Sequence, residues 1–296
     1  RFIFGTDEEN LWRCLEKYNE KEEGITQGFA PDAEFPLIYA EKGLLQAYLT
    51  GPGTNEFSVK AGGALNVVPD AAPYSGEKLS EVKEALKKHE FDFEEQGEGI
   101  VVLGKSIHAK DAAQGVNAIS RLAIALSEVF DFGPINFLGK LVQENATGEA
   151  VVGKTEDEQS GELTMNFASL EITPEQTKIG VDMRIPVTFK KDDLVAKLTK
   201  TAEKYGLTYE EFDFLDSLYV PLDSELVKNL LGTYRDITGD MTEPFVSGGA
   251  TFARTMNQCV AFGAMFPDTP DFMHQANERW ELSSMYKEAV YRLCAK

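Results

Sequence analysis

Two neighbouring segments, 162–171 and 178–187, alternate apolar and polar residues with period two, and this pattern constrains the fold more than any other feature of the chain. In the second segment Ile179, Val181, Met183 and Ile185 share one face, while Lys178, Gly180, Asp182 and Arg184 share the other. The spacing predicts a half-buried antiparallel sheet with one wet face. Around it, residues 76–88 carry Leu79, Val82 and Leu86 at helical spacing, and residues 113–130 carry Val116, Ile119, Ala123, Leu126 and Val129. A further helix is expected over 192–205, and strands near 56–60, 91–94 and 100–107. The middle of the chain is therefore an α+β arrangement.

The flanks read differently. Residues 2–5 suggest a short buried strand, followed by a helix with Leu11, Trp12, Leu15 and Tyr18 on its apolar side. Toward the other end, Asp223 is the expected N-cap of a helix striped by Leu226, Val227, Leu230, Leu231 and Tyr234, and Gly239 stands at its C′ position. Phe245-Val246 and residues 260–266 read as buried strands, and a last helix is expected over 278–295. The order α/β, then α+β, then α/β describes an α/β domain interrupted by an inserted α+β domain. We place the boundaries at 1–43, 44–217 and 218–296.

Charge narrows the partners. The 296 residues include 49 acidic against 29 basic, a net charge of −20. Such a surface repels a phosphate backbone and disfavours anionic membranes, so neither nucleic acid nor membrane is expected as a partner. No apolar run is long enough for a transmembrane helix. Cys14, Cys259 and Cys294 are odd in number, widely spaced and without a CxxC pair, which fits a reducing cytoplasm. None has a histidine nearby in sequence, so a cysteine nucleophile is not expected.

Several residues could carry chemistry, each with a plainer alternative. Glu8 and Glu9 follow a strand, where an α/β sheet opens its ligand crevice. Thr6-x-x-Glu9 equally makes a capping box for the next helix. Asp32 lies between Pro31 and Pro36, as a turn residue or as a metal ligand on a rigid loop. His274 precedes the last helix, as a helix-start residue or a zinc ligand. His108 ends the Ile100–Ile107 stretch on the side of Ile100 and Val102, as a rim histidine or a functional one. Arg184 beside Asp182 is a surface ion pair or a fork for a substrate carboxylate. Ser247-Gly248-Gly249-Ala250-Thr251 permits close approach of backbone to a ligand.

Taken in order, these motifs form a series. It runs through Gly5-Thr6-Asp7-Glu8-Glu9, Pro31-Asp32-Ala33-Glu34-Phe35-Pro36 and Asn66 in Gly62-Gly63-Ala64-Leu65-Asn66. It continues with Gly104-Lys105-Ser106-Ile107-His108, Asp182-Met183-Arg184-Ile185-Pro186, Gly248-Gly249-Ala250-Thr251 and Met273-His274-Gln275-Ala276-Asn277-Glu278. The series resembles the dizinc dipeptidases of the carnosinase and aminoacylase family, closest to the bacterial peptidase V type of Xaa-His dipeptidase, and it covers nearly the whole chain. The resemblance implies a zinc-peptidase-like catalytic domain of α/β class with an inserted lid, and a small peptide as substrate. It implies Glu8 as general base, and Glu9, Asp32 and His274 as ligands of two zinc ions. His108 matches the lid histidine that stabilises the oxyanion. Asn66 and Arg184 match the groups that hold the peptide carboxylate, and Gly248 and Gly249 line the same pocket. The long lid resembles one that replaces a dimer partner, so a monomer is expected.

The family also places a His-x-Asp motif and a bridging Asp upstream of the Glu-Glu pair, whereas seven residues precede Glu8 here. The expectation is therefore a carboxyl-terminal portion of a longer enzyme, with an incomplete catalytic domain that by itself is inactive. A non-catalytic peptide- or partner-binding remnant, and a deacylase or carboxypeptidase acting on N-acyl amino acids, stay open as alternatives.

Overall fold

The structure, a computed structural model, describes residues 1–8, 12–270, 277 and 279–287. It divides the chain into two compact units, Arg1–Lys42 with Asp216–Lys296, and Gly43–Leu215.

The Gly43–Leu215 unit is built on a five-stranded antiparallel sheet. Its order is Thr208–Leu215, Gly43–Pro52, Gln176–Ile185, Thr164–Ile172, Val59–Gly62. Register sets Met183 opposite both Leu45 and Met165. Leu45, Ala47, Leu49, Ile179, Val181 and Met183 form a core with Ile119, Leu122 and Leu126 of helix Ala118–Val129 and Leu194 and Leu198 of helix Lys191–Ala202. Burying each leucine, isoleucine, valine or methionine of this core contributes about 1.5–3 kcal/mol. A second antiparallel sheet runs Ala71–Tyr74, Gly99–Leu103, Phe93–Gln96. Asn117 caps the Ala118–Val129 helix by accepting from the Ser120 N–H at 3.1 Å, and its amide donates to the Phe167 carbonyl at 2.9 Å, which ties helix to sheet.

The expected wet face is a correction. Lys178 fits it, with its ammonium over the Tyr48 ring. Beyond it, Asp182 and Arg184 are buried, at 0% and 2% exposure. The cause is a loop that covers this end of the sheet. A Cβ on Gly180 would lie 2.5 Å from Leu65 and 2.4 Å from the Ser169 hydroxyl, so only glycine lets the loop lie this close. Period-two alternation assumes water on the second face. Here protein replaces it, and the polar residues must pair with one another.

The other unit has a mixed sheet. Gly28–Ala30 runs parallel to Cys259–Ala261, which meets Ile38–Glu41, which in turn pairs with Leu218–Tyr219 and Phe245–Ser247. A short parallel pair joins Ala33–Glu34 to Ala264–Met265. Helix Glu225–Thr238 buries Val227, Leu230, Leu231 and Tyr234, and Gly239 ends it at φ 71°. Its cap is Ser224 rather than Asp223. Ser224 has the extended backbone that a cap requires, and its hydroxyl accepts from the Val227 N–H at 3.3 Å. Residues 2–5 form no strand, and Phe2 and Phe4 are 84% and 89% exposed. A strand exists only through a partner's backbone, and no described strand pairs with this stretch. Among the described residues, no helix is long and apolar enough to cross a membrane.

Candidate functional site

In the Gly43–Leu215 unit, three of the candidate residues meet at the covered end of the sheet. The strand preceding His108 ends at Leu103, so His108 does not share a strand face with Ile100 and Val102. It belongs to a later stretch that bridges to Val67 and then begins the turn Ala109–Gln114. Asn66 lies directly alongside, its carbonyl accepting from the Ala109 N–H at 2.8 Å. The stretch around Asn66 is fastened to the sheet by Asn166, whose amide donates to the carbonyls of Leu65 and Val67.

His108 reaches the surface, and its Nδ1 accepts from the Lys110 N–H at 3.1 Å. A neutral ring held this way carries its proton on Nε2, as a donor. Partial burial of the ring, and then the charges of Arg184 and Lys110, hold the imidazole below its ordinary pKa, against the opposing influence of Asp182 and Asp111. The Arg184 guanidinium is itself fixed by a two-point pair with Asp182, Nε to Oδ1 at 2.7 Å and Nη2 to Oδ2 at 3.0 Å. Gln46 donates to the same carboxylate at 2.9 Å.

A titration follows from this field. The His108 imidazole is expected to titrate below about 6.5, the ordinary value. Its neutral donor form then persists through neutral pH and is lost only on acidification. The unfolded chain takes up this proton at higher pH than the folded one. The group's contribution to stability is therefore complete above about pH 6.5 and falls as pH drops toward the folded pKa. NMR titration of the ring protons checks the sign, and a midpoint above the ordinary value would contradict it.

In the other unit, Gly5 brings the Glu8 segment against Phe252. A Cβ on Gly5 would lie 2.4 Å from the Phe252 ring, and Trp12 packs edge-on to the same ring at 5.6 Å. The Trp12 indole also donates to the Glu8 carbonyl. Phe252 follows Ser247-Gly248-Gly249-Ala250-Thr251 directly, so the segment that carries Glu8 packs against the residue that ends this loop. The capping-box reading of Thr6 does not describe the helix, which starts at Arg13. Asp7 serves it instead, accepting from the Arg13 N–H at 3.2 Å and the Arg13 Nε at 2.7 Å. Asp32 stands between the short strands Gly28–Ala30 and Ala33–Glu34, which are held by Cys259–Ala261 and Ala264–Met265.

Glu9 and His274 lie outside the described residues. Among the described residues no group of three or more His, Cys, Asp or Glu side chains is placed to hold a metal ion. The described side chains thus do not by themselves make up a donor set for zinc. Burial raises the Cys259 thiol to about 11, which keeps it protonated at neutral pH and unsuited to nucleophilic attack.

The structure also reveals polar residues that the sequence pattern did not single out. Glu41 and Arg254 form a buried pair beside the Gly248–Gly249 loop. The one available signal was a carboxylate ending the apolar run Leu37-Ile38-Tyr39-Ala40, since a charge in a buried strand needs a partner.

No protein-family model matches the chain. It is 33% identical to a protein of Staphylococcus haemolyticus named "Putative dipeptidase SH1171", over 99% of this chain and 69% of the relative. It is 34% identical to a "Putative dipeptidase" of Staphylococcus epidermidis, with the same coverage. Among solved structures, the aminoacylhistidine dipeptidase of Vibrio alginolyticus superposes with a TM-score of 0.50 at 12% identity, over 91% of this chain and 66% of that one, a likeness of fold.

Proposed function

The chain belongs to the carnosinase and aminoacylase family of metallopeptidases, together with the dipeptidases it matches along 99% of its length, and on that premise we propose that the complete enzyme hydrolyses dipeptides. The observation that carries the reading is the His108 corner, where a neutral imidazole, its Nδ1 accepting from the Lys110 N–H and its Nε2 the donor, stands in the field of a buried guanidinium. Such a donor suits an oxygen that gains negative charge during attack on a peptide carbonyl, where one preorganised hydrogen bond is worth about 3–4 kcal/mol.

In this reading Glu8 takes the proton from the attacking water and later delivers it to the leaving amine. Arg184, kept in place by Asp182, and Asn66 receive the carboxylate of the peptide. We assign the Gly248–Gly249 backbone to contact with substrate. Glu9, Asp32 and His274 are the donors we assign to divalent metal, zinc, with two ions in the complete enzyme. When bound, the metal supplies polarisation of the carbonyl and a more acidic water. A soluble, monomeric, cytoplasmic enzyme completes the proposal.

Turnover of a panel of dipeptides by the complete enzyme, including alanylhistidine, set against N-acyl amino acids and measured with added zinc, tests it. Hydrolysis of the dipeptides is expected to dominate. The His108→Ala variant is expected to lose about 100-fold or more in kcat, with a much smaller change in KM. A preference for N-acyl amino acids would move the chain to the deacylases of the family. Peptide binding without turnover would favour a non-catalytic role.

A further inference from the structure

We propose that Arg254 is a positioning residue that sets the Gly248–Gly249 backbone for substrate; the proposal rests on the assignment of that loop to the dipeptide site. The Arg254 side chain is 2% exposed and the Glu41 side chain 0%, so neither is a surface charge. Arg254 Nε donates to Glu41 Oε2 at 3.0 Å. Other donors of the fork reach backbone. Nη2 donates to the Gly249 carbonyl at 2.8 Å and the Lys42 carbonyl at 3.1 Å, and Nη1 donates to the Asp216 carbonyl at 2.9 Å. Glu41 closes the ring by accepting from the Thr251 hydroxyl at 2.6 Å and the Thr251 N–H at 3.1 Å.

Two features make this more than a buried ion pair. The first is where the bonds end. Gly248 and Gly249 have no side chains to hold them by packing, so hydrogen bonds must fix their conformation. The Gly249 peptide is gripped on both sides, its N–H donating to the Ser247 hydroxyl at 2.9 Å and its carbonyl accepting from Arg254. The second is the chemistry of the group. A planar guanidinium serves several acceptors at fixed angles, whereas a lysine ammonium at the same position pairs with Glu41 but cannot span three carbonyls from separate segments. Lys42 and Asp216 are also the residues at which the chain leaves this unit for Gly43–Leu215 and returns. One side chain thus references the glycine loop to the strand end at Lys42 and to the returning segment at Asp216.

The test uses the complete enzyme and two variants. Arg254→Lys keeps the charge opposite Glu41, and the double variant Glu41→Gln/Arg254→Met removes both charges, which buried pairs tolerate better than the loss of one partner. Hydrogen exchange with mass spectrometry is expected to show the 247–251 amides exchanging about tenfold faster in both variants, with helix Glu225–Thr238 unchanged. Alanylhistidine is expected to bind about tenfold more weakly by calorimetry or KM, with kcat changed much less. Wild-type exchange over 247–251 in both variants would overturn the clamp. Faster exchange spread evenly over the unit would reduce Arg254 to a general stabiliser and overturn it too. Local loosening without any change in peptide affinity would overturn the link to substrate and point to an error in the assignment of the loop. An unmodified chain that binds no peptide at all would count against that assignment alone, because the exchange arm still reads the clamp.

Discussion

Replacing Glu8 by Gln is expected to lower kcat for dipeptide hydrolysis by about two to four orders of magnitude, the range a positioned general base contributes. The substitution keeps the size and hydrogen-bonding outline of the side chain, so it removes the ability to accept a proton and little else. The neighbourhood that positions Glu8 is built from parts the change does not touch: the Gly5 contact with Phe252, the Trp12 indole bond to the Glu8 carbonyl and the Asp7–Arg13 pair. KM and bound zinc, measured by steady-state kinetics and atomic absorption, are expected to stay near their values in the unmodified enzyme. Turnover within a few-fold of wild type would remove Glu8 from the role of base.

Replacing Asp182 by Ala is expected to destabilise the chain by about 3–5 kcal/mol, because it leaves the Arg184 charge buried without its partner. Both side chains lie almost wholly out of water, at 0% and 3% exposure, and the carboxylate also accepts from Gln46, so one substitution takes an acceptor from two donor groups. The Asp182→Ala/Arg184→Met double variant is expected to recover most of that loss in chemical denaturation, since no lone charge is then buried. His108 gives an independent reading. Asp182 raises the His108 pKa and Arg184 lowers it, so Asp182→Ala should move the titration further down, and Arg184→Met should move it up. A double variant no more stable than Asp182→Ala would show that packing, rather than the ion pair, governs this end of the sheet.

The second effect arises where polar residues are buried, and there the sequence was hardest to read. Asp182 and Arg184 carry the same alternation as a solvated strand face. Nothing within the strand tells that Leu65 and its neighbours lie across it, because the covering loop lies more than a hundred residues away in the chain. His108 was legible as a rare residue at the end of an apolar run. Its Nδ1 contact with Lys110 was not, because it depends on the strand ending at Leu103 and the chain turning at Ala109. The shift from Asp223 to Ser224 at the helix cap has a similar origin, since both residue types cap well and the backbone angle chooses between them.

The sequence by itself determined the class of the fold and the main helices and alternating strands of its middle region. Helical and strand periodicity are local properties: Leu122 and Leu126, or Met183 and Ile185, report their faces over a few residues whatever lies beyond. It also carried the ordered motif series that marks the family. Tertiary structure alone decided which polar residues are paired and buried. Arg254 and Glu41 stand 213 residues apart, and each is an ordinary charged residue until the fold removes water from both. A buried charge must then find its partner, and a guanidinium enclosed among backbone carbonyls becomes a fixed reference point for the loop beside it.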